Sequence, residues 1–224
     1  MYASMNKHQV LAAMQQIGLV PVLRAASEDQ ALALAEAIAD GGVKCLEVTM
    51  TVPGAINVIK RLIKDRPDIL VGAGTVLDPE AARACLAEGA KFIVSPALNL
   101  QTIELCNREG IAVLPGSLTP TEILTAWNAG ADVVKVFPAS AMGGAKYIAS
   151  LKAPLPHIKM IPTGGVSLET ARHFLDAGAY ALGVGADLVD AKALSAGEAH
   201  KITATAKKYL EIIAEFQATR KPAN

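Results

Sequence analysis

Lys135 stands inside the run Val133-Val134-Lys135-Val136-Phe137-Pro138, where nothing else is charged. Lysine is depleted in strands and is rarely buried without a purpose. Strand alternation puts Val133, Lys135 and Phe137 on one face and Val134 and Val136 on the other. A lysine so placed can snorkel its ammonium to a rim. Otherwise it offers a desolvated amine. Desolvation disfavours the charged form of an amine, so its lone pair becomes available to attack a ketone and form a Schiff base. We expect the second behaviour.

Glu47 ends the apolar run Cys45-Leu46 in the same way. A glutamate at a strand end is common on surfaces, but beside a buried lysine it becomes a candidate acid/base. Imine chemistry moves protons on and off a carbinolamine and a substrate hydroxyl, and a carboxylate can carry them. Arg24 closes Val20-Pro21-Val22-Leu23 and could hold a carboxylate through two parallel hydrogen bonds. The alternative is an inter-strand salt bridge, for instance to Glu47. Thr75 follows Gly72-Ala73-Gly74, whose small residues permit close approach to its hydroxyl; it could equally be a hydroxyl within a packed layer.

Thr163-Gly164-Gly165, before a helix expected to start near Ser167, has the form of an anion cradle, in which glycine-turn and helix N-terminal amides point at a negative charge. Gly183-Val184-Gly185-Ala186 supplies a second half. Tight turns alone would also account for these glycines.

The elements that must position these groups are legible as a rhythm. Five segments repeat a glycine followed by a short apolar run, beginning at Gly42, Gly89, Gly110, Gly130 and Gly178. Each glycine follows a stretch of helical spacing and reads as a C-cap. With Leu19–Leu23, Ile69–Val71 and Ile158–Ile161 there are eight apolar runs, about 19 to 26 residues apart. Short apolar strands alternating with helices of about 10 to 13 residues predict a parallel sheet. Eight such units in 224 residues predict a single α/β domain, a (β/α)8 TIM barrel over residues 1–224. An extra N-terminal helix over 1–18 precedes it and a loose tail over 219–224 follows. The Gly72-Ala73-Gly74 run lacks the third glycine of a dinucleotide fingerprint. In such barrels the ends of the strands carry the chemistry, and those ends hold the residues above together with Ser95-Pro96, Pro115-Gly116 and Phe137.

Composition narrows the partners. Lysine plus arginine and aspartate plus glutamate each number 21, which leaves no electrostatic case for nucleic acid or an anionic membrane. No window reaches the roughly 18 apolar residues of a membrane span. The N-terminus lacks the unbroken apolar core of a signal peptide. Cys45, Cys85 and Cys106 form no CxxC pair and read as buried reduced thiols, so a cytoplasmic location is expected. His8, His157, His173 and His200 fall in helices or connectors, and no cluster has ligand spacing, so neither a metal nor another cofactor is expected.

The same residues carry a resemblance. Pro21-Val-Leu-Arg-Ala, Leu46-Glu-Val-Thr-Met-Thr-Val-Pro53, Val71-Gly-Ala-Gly-Thr-Val76, Ile93-Val-Ser-Pro96, Leu114-Pro-Gly116, Lys135-Val-Phe-Pro138 and Pro162-Thr-Gly-Gly-Val166 occur in order over about Val20 to Val189. As a set they resemble the 2-keto-3-deoxy-6-phosphogluconate / 4-hydroxy-2-oxoglutarate aldolases. The resemblance implies a class I aldolase that splits a 2-keto-4-hydroxy acid into pyruvate and an aldehyde. It implies Lys135 as the Schiff-base lysine and Glu47 as the acid/base acting through a water. It places Arg24, Thr75, Pro96 and Phe137 around the pyruvate portion, and Thr163, Gly164, Gly165, Gly185 and Ala186 at the phosphate end. It further implies a metal-free, cytoplasmic homotrimer. Many members carry a serine where this chain has Ala186, and some carry an arginine at the position of Thr51. The preferred acid is therefore open among the phosphorylated sugar acid, its galactose-type epimer and unphosphorylated 4-hydroxy-2-oxoglutarate. Two rivals lie outside this chemistry, a phosphate-binding barrel enzyme that forms no imine and a non-catalytic sugar-phosphate-binding barrel.

Overall fold

The computed structural model describes Tyr2 and residues 4–219. The fold is α/β, with every strand pairing parallel. Helix α1 (Lys7–Ile17) precedes strand β1 (Leu19–Leu23), and α2 (Glu28–Asp40), β2 (Cys45–Thr49), α3 (Ala55–Asp65), β3 (Leu70–Gly74), α4 (Pro79–Ala87), β4 (Phe92–Val94) and α5 (Leu100–Arg108) follow. Then come β5 (Ala112–Leu114), β6 (Gly116–Ser117), α6 (Pro120–Asn128), β7 (Val134–Val136), a 3-10 turn (Ala139–Met142) and α7 (Ala145–Lys152). The chain closes with β8 (Met160–Pro162), α8 (Ala171–Asp176), β9 (Leu182–Val184), α9 (Ala191–Ser195) and α10 (Ala199–Thr219). Thr219 ends that last helix rather than opening a tail, and residues 220–224 lie outside the described residues.

The strands form two sheets, β5-β4-β3-β2-β1-β9 and β6-β7-β8, where the sequence predicts one unbroken ring. Both seams have a local cause. The fifth apolar run is split at Pro115, which has no N–H to give a ladder. Upstream of it β5 pairs with β4; downstream β6 pairs with β7, and the Pro115 carbonyl accepts from the Lys135 amide. At the other seam a single bridge, Thr163 with Gly183, joins β8 to β9. A Cβ on Gly183 would lie 2.1 Å from the Thr163 hydroxyl oxygen, so that bridge needs a glycine.

Apolar side chains divide between two layers. Those pointing outward, among them Val134 and Val136, pack under the helices. Those pointing inward, including Val20, Cys45, Leu70, Phe92, Leu114, Val133 and Ile161, form a separate inner cluster. Val10, Leu11 and Met14 of α1 belong to that inner cluster, so α1 lies across the N-terminal ends of the strands as a stopper. A capping box at Asn6 and Gln9 starts this helix and left-handed Gly18 ends it. Lys7 pins it down, reaching Asn107 at 2.8 Å and Asp132 at 2.9 Å.

The helices are shorter than the 10 to 13 residues expected at several places, α8 having six residues and α9 five. Regular helix α8 begins at Ala171, after the start expected near Ser167, and a turn over residues 168–170 leads into it. The Ser167 carbonyl accepts from the Thr170 and Ala171 amides, while the Thr170 hydroxyl accepts from the Ser167 amide and donates to the Gly165 carbonyl, tying this first turn to the glycine loop.

All three cysteines are free and buried. Burial pushes the Cys85 thiol up to about 11 and Cys106 to about 12, and raises Cys45 further, with the nearby Glu47 charge adding to it. Thiolate is the reactive form. We therefore expect a disulfide reagent at pH 8 to label well under one thiol per folded chain in the time that denatured chain yields all three. Rapid labelling of the native protein would contradict the burial.

Candidate functional site

Strands β2 and β7 belong to different sheets, and each carries one charged residue that turns toward the other sheet's. Lys135 is the middle residue of β7 and is 3% exposed; Glu47 is the middle residue of β2 and is 2% exposed. Their Nζ and Oε1 atoms stand 3.7 Å apart. That separation allows Coulombic attraction but exceeds a good hydrogen bond. Oε1 of Glu47 accepts from no donor among the described residues. A buried acceptor with no partner costs free energy and is uncommon in folded proteins. Phe137 places its ring centroid 5.4 Å from the Lys135 Nζ, within cation–π range. The alternation expected for this strand therefore holds, and the lysine does not snorkel out.

The neighbours of the pair are set by backbone contacts. Gly116 is in register with Lys135, and a Cβ there would fall 2.2 Å from the Pro96 carbonyl carbon. Gly116 thus lets Pro96 close against β6 beside the lysine, and Ser95 locks the turn by donating to the Ala97 carbonyl at 2.6 Å. Thr75 has φ 53°, the one positive value at a non-glycine among the described residues. A β-branched residue there is strained, and such strain persists where the surroundings over-determine it.

Arg24 follows β1 and is exposed. It makes no ion pair among the described residues, so the salt bridge to Glu47 is not formed. Its side chain instead lines an open surface cavity with Gln30, Lys192 and Ser195. The structure does not bring it to the Lys135–Glu47 pair. A long side chain at a strand end has many rotamers, and nothing local fixes this one.

At the other seam the glycine turn wraps against the turn after β7. Thr163 is buried, its amide donates to the Val136 carbonyl, and its carbonyl accepts from Ala139. Gly164 and Gly165 have φ 89° and 77°, so both conformations require glycine. A Cβ on Gly165 would meet Ser140 at 2.5 Å. Because regular helix α8 starts at Ala171, the amides nearest this turn are those of the loop and of the 168–170 turn that leads into the helix. Gly185 and exposed Ala186 face it from the end of β9, and a Cβ on Gly185 would meet nothing within 4 Å.

Two features of this region were not legible as functional in the sequence. Asp187 joins the two loops, since its Oδ2 accepts from the Leu168 amide at 3.3 Å and from the Tyr209 hydroxyl at 2.5 Å. Burial, together with the hydrogen bond to Asp187, raises Tyr209 far above the usual phenol range, so it stays a neutral donor. The second feature is Gly74, whose bare Cα faces the Glu47 carboxylate.

The profile of the family "Aldolase: KDPG and KHG aldolase" matches residues 10–205. The 2-dehydro-3-deoxy-phosphogluconate aldolase of Treponema pallidum (strain Nichols) is 32% identical over 91% of this chain and 97% of its own length. The KHG/KDPG aldolase of Escherichia coli K12 is 34% identical over 86% of this chain and 91% of its own. Among solved structures, the KDPG aldolase of Legionella pneumophila with pyruvate captured as a covalent carbinolamine superposes with a TM-score of 0.80. It is 31% identical, and the match covers 88% of this chain and 95% of that one.

Proposed function

The chain belongs to the KDPG and KHG aldolase family, and from that membership we propose that it cleaves a 2-keto-4-hydroxy acid reversibly to pyruvate and an aldehyde through a Schiff base on Lys135. The observation that carries this reading is the buried Lys135–Glu47 pair at 3.7 Å, with a carboxylate oxygen left without a donor. A buried amine and carboxylate this close suit nucleophilic attack followed by proton transfer.

In this reading the Lys135 amine attacks C2, and the carbinolamine loses water to give a protonated imine. Glu47, directly or through a water, takes the proton of the C4 hydroxyl. The C3–C4 bond then breaks, its electron pair entering the imine to leave an enamine while C4 departs as the aldehyde. Protonation at C3 and addition of water release pyruvate and the free amine. Thr75, Pro96 and Phe137 surround the pyruvate portion, and Arg24 swings in from the rim to hold its carboxylate. Thr163, Gly164, Gly165, Gly185 and Ala186 line the distal end. The fold belongs with this reading as a (β/α)8 barrel whose two sheets meet at the Pro115 and Thr163–Gly183 seams. Three unpaired cysteines support a reducing, cytoplasmic setting. Exposed Leu77, Leu100, Leu124 and Met142, on segments following the strands, supply apolar surface for a homotrimer.

Incubation with pyruvate and borohydride tests the imine. Reduction should add a stable pyruvate-derived mass to Lys135, and an unmodified lysine after repeated turnover would refute the reading. The distal end is tested by comparing kcat/KM for phosphorylated and unphosphorylated acids. The expected aldehydes are glyceraldehyde 3-phosphate in the first case and glyoxylate in the second. A hydroxyl donor to an anion is worth about 1 kcal/mol or somewhat more, roughly fivefold in affinity. Ala186→Ser should therefore lower KM for the phosphorylated acid about fivefold and leave the unphosphorylated one unchanged. An equal effect on both would show that Ala186 lies away from the phosphate.

A further inference from the structure

Glu47 is held in place without hydrogen bonds at the oxygen nearest Lys135. A glutamate has three rotatable bonds, and a carboxylate positioned for proton transfer must have lost that freedom to something. What lies beneath it is β3. In the parallel register Glu47 stands beside Gly72, and Gly74 is the next residue on the same face. A Cβ on Gly74 would fall 1.9 Å from Oε1 and 2.4 Å from both Cδ and Cγ of Glu47. A Cβ on Gly72 would likewise strike the Phe92 ring at 2.4 Å. Two successive inward positions of β3 thus carry no side chain, and each is filled from a neighbouring strand.

The backbone does not explain these glycines. Neither Gly72 nor Gly74 has positive φ, whereas the residue that does, at 53°, is Thr75. Glycine therefore stands at 74 for space. We propose that Gly74 is a positioning residue, the bare seat that fixes how far the Glu47 carboxylate reaches toward Lys135. Because packing does the holding, the lone pairs of the carboxylate stay available to the proton it carries. This inference rests on the imine reading of the site.

Carbon and oxygen in ordinary contact need about 3.5 Å, so the methyl of Gly74→Ala would drive the carboxylate back by more than an ångström. A displacement of that size typically costs about 100-fold in rate. The test measures exchange of the pyruvate methyl protons with solvent deuterium, which reads proton transfer at C3, beside borohydride trapping, which reads Lys135. Gly74→Ala should exchange about 100-fold more slowly while still forming the adduct. In a Glu47→Ala background, which lacks the Cγ, Cδ and Oε1 that the methyl would strike, adding Gly74→Ala should shift the melting temperature by no more than about a degree, whereas in the unmodified chain the same substitution lowers it by several degrees. A purely structural role for Gly74 would give the same fall in both backgrounds. Exchange by Gly74→Ala within twofold of the unmodified chain would overturn the proposal, as would equal falls in melting temperature. If Gly74→Ala fails to fold and the double variant folds, the clash with Glu47 is confirmed. If neither folds while Glu47→Ala does, Gly74 serves the strand and the proposal falls. Failure of the unmodified chain to form an adduct would refute the imine reading instead, which the same experiment reports separately.

Discussion

Lys135→Arg should lower kcat by about 10⁴-fold or more, the scale seen when a covalent nucleophile is removed, and should abolish the pyruvate–borohydride adduct. Arginine keeps a cation opposite Glu47 but has no lone pair to offer a ketone. The buried charge remains matched, so the melting temperature should move little. Lys135→Ala separates the two consequences. It loses the same activity and also leaves Glu47 buried without a counter-charge, a loss of about 3 kcal/mol or more for so enclosed a pair. At roughly 2 to 4 °C per kcal/mol for a chain of this size, calorimetry should resolve it. An arginine variant that keeps even a hundredth of the activity would remove the imine from the mechanism.

Glu47→Gln should cost about 10² to 10⁴-fold in kcat, the usual range for a positioned acid/base. The amide has the shape of the carboxylate and still rests over Gly74, so the lesion is confined to proton transfer. Attack by Lys135 on pyruvate involves less proton traffic than cleavage of the C3–C4 bond. The variant should therefore still trap pyruvate at equilibrium while exchanging its methyl protons slowly. Equal loss of trapping and cleavage would mean that Glu47 serves mainly to hold Lys135.

How much of this could be read from the sequence differs from residue to residue. Lys135 and Glu47 were legible because each interrupts an apolar run, and strand alternation alone assigns the face on which each lies. That both faces look into one interior followed from counting strands. The split of the fifth run at Pro115 was not foreseen, because a proline at a presumed strand end looks the same whether the strand stops or changes partner. The helix expected near Ser167 becomes regular only at Ala171, because the Thr170 hydroxyl is engaged by the Ser167 amide and the Gly165 carbonyl, a local arrangement that residue types alone do not reveal. Gly74 was hidden for a different reason. Its role depends on the register of β2 against β3, a relation between segments about 25 residues apart. Arg24 is expected at a substrate carboxylate from its guanidinium, its place after β1 and the resemblance, and its exposed side chain lines a surface cavity, a rotamer the sequence does not specify.

The stopper formed by Val10, Leu11 and Met14 packs on the same inner layer as Val133, two residues before Lys135. In the imine reading proposed above, a lysine backed by that layer is approached from the loops that follow the strands. Pyruvate tethered to it would then lie deeper than the aldehyde. Cleavage would release the aldehyde first and pyruvate last, and synthesis would load them in the reverse order. A helix that touches neither reactant would so impose the sequence in which they come and go.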